Sequence, residues 1–169
     1  NQLYRRYQHV FPSSYKDNYR PQDAVSDISL LETLRQDAPL AVEVLPTEGR
    51  SARFKLLQWN QQLSLSRVMP ILESFGLKVL QEQAFALLHE DNCLWLHDFR
   101  TELPEGLAKE TFAQSLAYVR EGMQVLWQGG IEADVFNRLV TILPCRWREA
   151  HIFRVLSAYL KQASFPLSP

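Results

Sequence analysis

The sequence predicts an α+β sandwich: one four-stranded antiparallel sheet built from two hairpins, with flanking N- and C-terminal helices. Three observations carry this expectation. Two pairs of short alternating segments are each joined by a polar turn, and a helix-periodic stretch precedes each pair. Beyond about residue 105 the apolar period then shifts from the strand value of two to the helical value of about 3.6.

The elements follow in order. LYRRYQHVFPSSYKDNY, residues 3–19, reads as an aromatic-rich helix, a break at Pro12 and a second helical turn. Pro21 suits the first position of a new helix, and Ala24, Val25, Ile28, Leu31 and Leu34 repeat at three- and four-residue spacing. LAVEVLP, residues 40–46, alternates as a strand; TEGRSA is a turn containing Gly49; and RFKLLQW, residues 53–59, is the second strand. LSLSRVMPILESFGL, residues 63–77, places Leu65, Val68, Met69, Leu72 and Phe75 on one helical face and Gly76 at its end. Its N-cap is Ser64 or Ser66. A Ser66 cap puts Pro70 close to the first turn, where a missing N–H costs little, and that choice or a slight kink is preferred to a broken helix. LKVLQEQAFALL (77–88) and CLWLHDF (93–99) form the second hairpin around HEDN.

Phe112, Leu116, Val119, Met123 and Leu126 then mark a long amphipathic helix ended by Gly129-Gly130. A shorter helix runs from Val135 to Leu143 and stops at Pro144. A last one, 146–162, is expected to bury Trp147, Ile152, Val155, Leu156 and Tyr159. The order αββαββ is that of a ferredoxin-like sandwich whose first strand has been moved to the end. Strand 93–99 then lies antiparallel to 77–88 in the vacated slot, and helices 22–36 and 64–75 are expected on one face of the sheet.

Composition narrows the function classes. The chain has 169 residues, 46% hydrophobic and 22% charged, with a net charge of −1. That is a core-forming composition without the concentrated basic footprint that nucleic acid or an anionic membrane surface requires. No apolar run reaches the ~20 residues of a membrane span. Cys93 and Cys145 stand far apart, outside any CxxC context, and are expected as reduced thiols of a cytoplasmic protein. Because the chain starts at Asn1 and stops just after a periodic helix, it is expected to be a piece of something larger.

Site chemistry is sparse. Cys93, His97 and Asp98 suggest a nucleophile, but residues four apart on a strand stand about 13 Å apart and cannot touch. His89, Glu90, Asp91 and His97 could converge on a metal across the hairpin turn, although solvated turn residues are the preferred reading. His9 and His151 have no evident partners. No phosphate-binding glycine pattern is present, and Gly129-Gly130 reads as a hinge between helices. Arg5-Arg6 is read as a solvated face, and Arg146, Arg148 and Arg154 as ion-pairing residues. Trp127, Trp147 and Phe136 are equally compatible with an interface and with internal packing. No catalytic, cofactor-binding or metal residue is assigned.

Three segments, taken together, resemble one family: PSSYKDNYRPQDAVSDISLLETL, LSLSRVMPILESFGLKVLQEQAF, and DVFNRLVTILPCRWREAHIFRVLSAYLKQ with its FNRLV and WRE elements. In this order and spacing, from about residue 3 to 163, they are similar to the N-terminal half of the large bacterial NAD-specific glutamate dehydrogenases, which contains ACT-like regulatory modules linked to helical segments. The resemblance implies a helical linker (1–20), an ACT-like α/β module (21–104) and a helical segment (105–169) leading towards a catalytic domain elsewhere. It further implies a parent enzyme that deaminates L-glutamate with NAD, while this part lacks the dinucleotide fold and lysine-centred site the reaction needs. The implied role is regulatory or scaffolding, with other domains and subunits of a homo-oligomer as partners and an amino acid as candidate effector. The alternative is a free-standing ACT-like amino-acid sensor. Usual ACT modules contact their ligand through a glycine-bearing loop after the first strand, and Gly49 is the one glycine in a strand-joining turn here.

Overall fold

In the computed structural model, residues 6–35, 39–89 and 92–165 are described. The chain forms two compact units, Asn1–Val68 with Val79–Thr101, and Met69–Lys78 with Glu102–Pro169.

In the first unit, helices α1 (Ser13–Asn18) and α2 (Pro21–Leu31) precede strands β1 (Leu40–Pro46) and β2 (Ser51–Trp59), and β3 (Lys78–His89) and β4 (Asn92–Glu102) follow later in the chain. Pro21 opens α2 at its first turn, and the Asp23 carboxylate accepts from the backbone N–H of Arg20 at 3.0 Å. The four strands form one sheet in the order β1-β2-β4-β3. The β1/β2 register runs from Leu40 opposite Gln58 to Pro46 opposite Ala52, closed by a turn in which Gly49 adopts φ +69°. At one end of β2 the Asn60 N–H donates to the Cys93 carbonyl at 2.8 Å, and at the other Thr101 reaches the Ala52 carbonyl at 3.1 Å. β2 and β4 therefore run in opposite directions, and the strand order is that of the permuted ferredoxin-like sheet.

Strand alternation divides the sheet into two faces. One face carries Ala41, Leu57, Phe85, Leu87, Leu94 and Leu96. The N-terminal segment covers it with Tyr7, Val10, Phe11 and Tyr15, and α2 adds Leu30, Leu31 and nearby Leu34. The segment just ahead of the expected helix 64–75 does not meet this face. The chain entering α3 (Leu65–Ser74) meets the opposite face, where the Leu63 N–H donates to His97 Nε2 at 3.2 Å. The reason is topological: α2 has no strand before it, so crossover handedness does not dictate its side.

α3 also corrects the preferred cap. It starts at Leu65, so Ser64 occupies the cap position and Pro70 lies inside the helix as its sixth residue. The ladder omits one N–H there without breaking the helix. Its C-terminus is a Schellman turn, with Gly76 N–H donating to Glu73 O at 2.8 Å and Leu77 N–H to Leu72 O at 3.2 Å, and Gly76 at φ +77°.

In the second unit, α4 (Lys109–Trp127) buries Phe112, Val119, Met123 and Leu126, the stripe the sequence predicts, with Leu116 half-buried. The expected helix 135–143 is a 3₁₀ turn (Val135–Asn137) continuing into α5 (Arg138–Ile142). Phe75 is fully buried, and a Cβ on Gly122 would come within 3.1 Å of its ring. Thr141 Oγ1 donates to Phe75 O at 2.8 Å, and Ser115 Oγ donates to Thr141 O at 2.9 Å. The FNRLV element supplies the hub: buried Asn137 donates to Ser74 Oγ at 3.1 Å and Glu132 O at 2.8 Å, and accepts from Arg154 at 2.9 Å.

α6 (Trp147–Gln162) contradicts its expected burial. Ile152, Val155, Leu156 and Tyr159 are exposed, and Ala150 is its buried residue. Polar contacts anchor it instead. Trp147 Nε1 donates to Glu121 at 3.1 Å, and Arg154 Nη2 donates to Asp134 Oδ1 at 2.8 Å. The pairing expected of the arginines is thus realised by Arg154.

Gly76→Ala is expected to destabilise the chain by about 1–2 kcal/mol in urea unfolding, because an alanine at positive φ is strained and its Cβ would meet Arg138 Cγ at 3.0 Å. A pH dependence follows from Asp134. The Arg154 hydrogen bonds, joined by the Phe136 N–H and opposed by burial, hold its carboxyl below the usual carboxylate range. A depressed folded-state pKa gives stability that is present above the unfolded value of about 3.9 and lost as pH falls through the folded one. The melting-temperature gap between wild type and Asp134→Asn is expected to be largest near neutrality and to close in acid.

Candidate functional site

The face that carries the apolar core changes character along its strands. On β2 it presents Trp59 and Leu57, then Lys55 and Arg53; on β4, Leu94 and Leu96, then Asp98 and Arg100; on β3, Leu87 and Phe85, then Gln83 and Gln81. The polar ends gather into a cleft of ≈ 430 Å³, closed on its helical side by Asn18, Tyr19, Arg20 and Asp23.

Its floor is an ordered network. Arg53 grips Asp98 through both arms of its guanidinium, with Nε 3.2 Å from Oδ1 and Nη2 on Oδ2. The Tyr19 hydroxyl donates to Asp98 Oδ2 at 2.8 Å and lies 3.1 Å from the Gln83 side-chain oxygen. The Arg53 guanidinium also sits over the Tyr19 ring, 5.1 Å from its centroid. Burial, reinforced by the Asp98 charge, pushes the Tyr19 hydroxyl well above its ordinary range, so it stays a neutral donor. For Arg53, burial works against the charge, but the bonds to Asp98 outweigh it and the net shift is upward.

Below the cleft lies a buried pair. Lys55 and Asp27 are each 1% exposed and form an ion pair through Nζ and Oδ1. The Tyr15 hydroxyl donates to Asp27 Oδ2 at 2.5 Å, and burial followed by Asp27 raises its pKa far out of reach. The pair ties α2 to β2 and holds the helical wall in place.

The mouth is more open. Asp23 accepts from the Arg20 backbone at 3.0 Å and from Arg20 Nε at 3.5 Å. Its carboxyl, which burial alone would raise, is lowered by these contacts. Arg100 is exposed, and its guanidinium has no partner among the described residues.

The metal grouping considered from the sequence does not assemble. His89 stacks on Tyr7 on the helix-covered face, whereas His97 faces the other way, with Nδ1 2.8 Å from Glu82. Glu90 and Asp91 lie outside the described residues. Among the described residues no cluster of three metal-ligating side chains occurs. Cys145 is no activated thiol either, since burial and Glu149 raise its pKa. No helix among the described residues is long and apolar enough to cross a membrane.

Comparison with known proteins divides the chain into three matched segments. Models of the glutamate dehydrogenases match helical motif 2 over residues 1–34, the ACT3 domain over 40–115 and helical motif 3 over 131–169. The chain belongs to the glutamate dehydrogenase family. It is 31% identical over 171 residues to the NAD-specific glutamate dehydrogenase of Halomonas elongata, covering 99% of this chain. Identity is 33% over 156 residues, 90% of the chain, with the enzyme of the same name from Pseudomonas aeruginosa. With that of Mycobacterium tuberculosis it is 30% over 167 residues, 96% of the chain. In each case the match spans 10% of the relative's length. In these terms the glutamate dehydrogenase ACT3 region supplies the sheet, and Tyr19, Arg20 and Asp23 of the cleft wall come from helical motif 2.

No short motif marks this cleft in the sequence, because its residues come from two helical segments and three strands. The available signal was the switch from apolar to charged at every second position along β2 and β4.

The buried pair yields a double-mutant test. Asp27→Ala leaves the Lys55 charge buried and uncompensated, and a loss of about 3–5 kcal/mol in denaturant unfolding is expected. Asp27→Leu combined with Lys55→Met should cost far less than the sum of the two single changes.

Proposed function

We propose that this chain is a noncatalytic regulatory and scaffolding segment of a cytoplasmic NAD-dependent glutamate dehydrogenase. The whole enzyme would oxidise L-glutamate with NAD and water, releasing 2-oxoglutarate, ammonium and a proton and leaving the hydride on the cofactor. The observation that carries the reading is the succession of three glutamate dehydrogenase models along the chain, one ACT domain between two helical motifs.

The chemistry of the described residues supports assigning catalysis elsewhere in the enzyme. Dinucleotide binding uses a parallel sheet with a glycine-rich turn at a helix N-terminus, whereas this sheet is antiparallel. The lysine most closely held by a carboxylate, Lys55, is locked in the core by Asp27 and is closed to a substrate. The scaffolding half rests on α6, whose Ile152, Val155, Leu156 and Tyr159 form an exposed apolar stripe suited to other domains or subunits of a homo-oligomer. The regulatory half rests on the polar cleft, with an amino acid as candidate effector.

The same cleft favours the second reading, a free-standing amino-acid-sensing module; the length of the complete gene product separates the two. Calorimetric titration of the chain with NAD is expected to show no binding. A micromolar dissociation constant would overturn the noncatalytic assignment.

A further inference from the structure

The cleft contains three arginines in different states. The Arg53 fork is filled by Asp98. Arg20 is engaged, at 3.5 Å, with Asp23. Arg100 leaves β4 two residues beyond Asp98, on the same face, and its guanidinium meets no partner among the described residues. Of the two carboxylates two residues away along that strand, Asp98 is already occupied by Arg53 and Tyr19, and Glu102 pairs with Lys78 at 3.7 Å.

We propose that this cleft is a binding site for a small organic carboxylate, with Arg100 as its principal anchor. A free guanidinium presents a planar fork of N–H donors that matches the two oxygens of a carboxylate. The floor is built before the ligand arrives, because Tyr19, Asp98 and Arg53 hold one another in fixed positions. Pre-formed polar groups lower the ordering cost of binding. The remaining lining adds no net charge opposite Arg100: Asn18, Gln81 and Gln83 are neutral amides able to bond a second polar group on the ligand. At ≈ 430 Å³ the space suits a metabolite of a few carbon atoms. The wall comes from the N-terminal helices and the floor from the sheet, so occupancy would brace one against the other. This inference takes its physiological purpose from the regulatory reading above, while binding itself is independent of it.

The test is thermal unfolding and calorimetry of the chain with succinate, set against inorganic phosphate and chloride at equal ionic strength. Succinate is expected to raise the melting temperature in a concentration-dependent way, as a ligand of the folded state must. Arg100→Gln should weaken succinate at least about tenfold, as loss of a charge-assisted contact does, while Arg120→Gln, an exposed arginine of α4, should not. If Arg100→Gln fails to fold, Gln81→Glu places an opposing charge in the same mouth and should weaken binding likewise. An absent shift with millimolar succinate, an equal shift with phosphate and chloride, or full affinity in Arg100→Gln would each overturn the proposal. Failure of succinate would leave the scaffolding role standing, whereas NAD binding would remove the noncatalytic reading and leave the cleft untouched.

Discussion

The ion pair of Lys55 with Asp27 is the constraint on which the first unit depends. Both residues are 1% exposed, and moving either charge from water into the core alone would cost several kcal/mol. The structure meets that cost by pairing them and by giving the second Asp27 oxygen to the Tyr15 hydroxyl. A pair of this kind tolerates little displacement of either element. It therefore fixes where α2 and the N-terminal aromatics sit on the sheet, in a way that the apolar contacts of Leu30 and Leu31 would not by themselves dictate.

The polar cleft is a consequence of that placement. Apolar residues occupy one end of the covered face and charged residues the other, so the helical segments seal the first and overhang the second. Tyr19 lies at the transition: its ring stacks on Tyr15 and meets Phe85 edge-on, while its hydroxyl reaches Asp98. One side chain thus belongs to both the core and the cleft. The second unit relies on the same economy, with Asn137 joining Ser74, the Glu132 carbonyl and Arg154 through a single amide.

Two surface features stand apart from these interior contacts. In the first unit, the antiparallel sheet carries a polar cleft whose floor is ordered by Tyr19, Asp98 and Arg53. In the second unit, α6 carries an exposed apolar stripe of Ile152, Val155, Leu156 and Tyr159. Neither feature needs a catalytic residue, and apart from Tyr19 each uses side chains outside the apolar core.

Much of the fold was legible in the sequence. Strand 40–46 was read to the residue because Leu40, Val42 and Val44 alternate against Ala41, Glu43 and Leu45, and Gly76 marked the end of α3 because few other residues accept φ +77°. Periodicity also found the buried stripe of α4. The same periodicity misled at α6, where Ile152, Val155, Leu156 and Tyr159 follow a core-like spacing yet remain exposed, since spacing defines a face without saying what covers it. Tertiary structure alone decided which side of the sheet α2 occupies, and it alone brought Arg53, Asp98, Tyr19 and Arg100 into one cleft. Local propensity and alternation act over a few residues and are written in the chain. The pairing of Lys55 with Asp27, 28 residues apart in sequence, exists only once the sheet has formed.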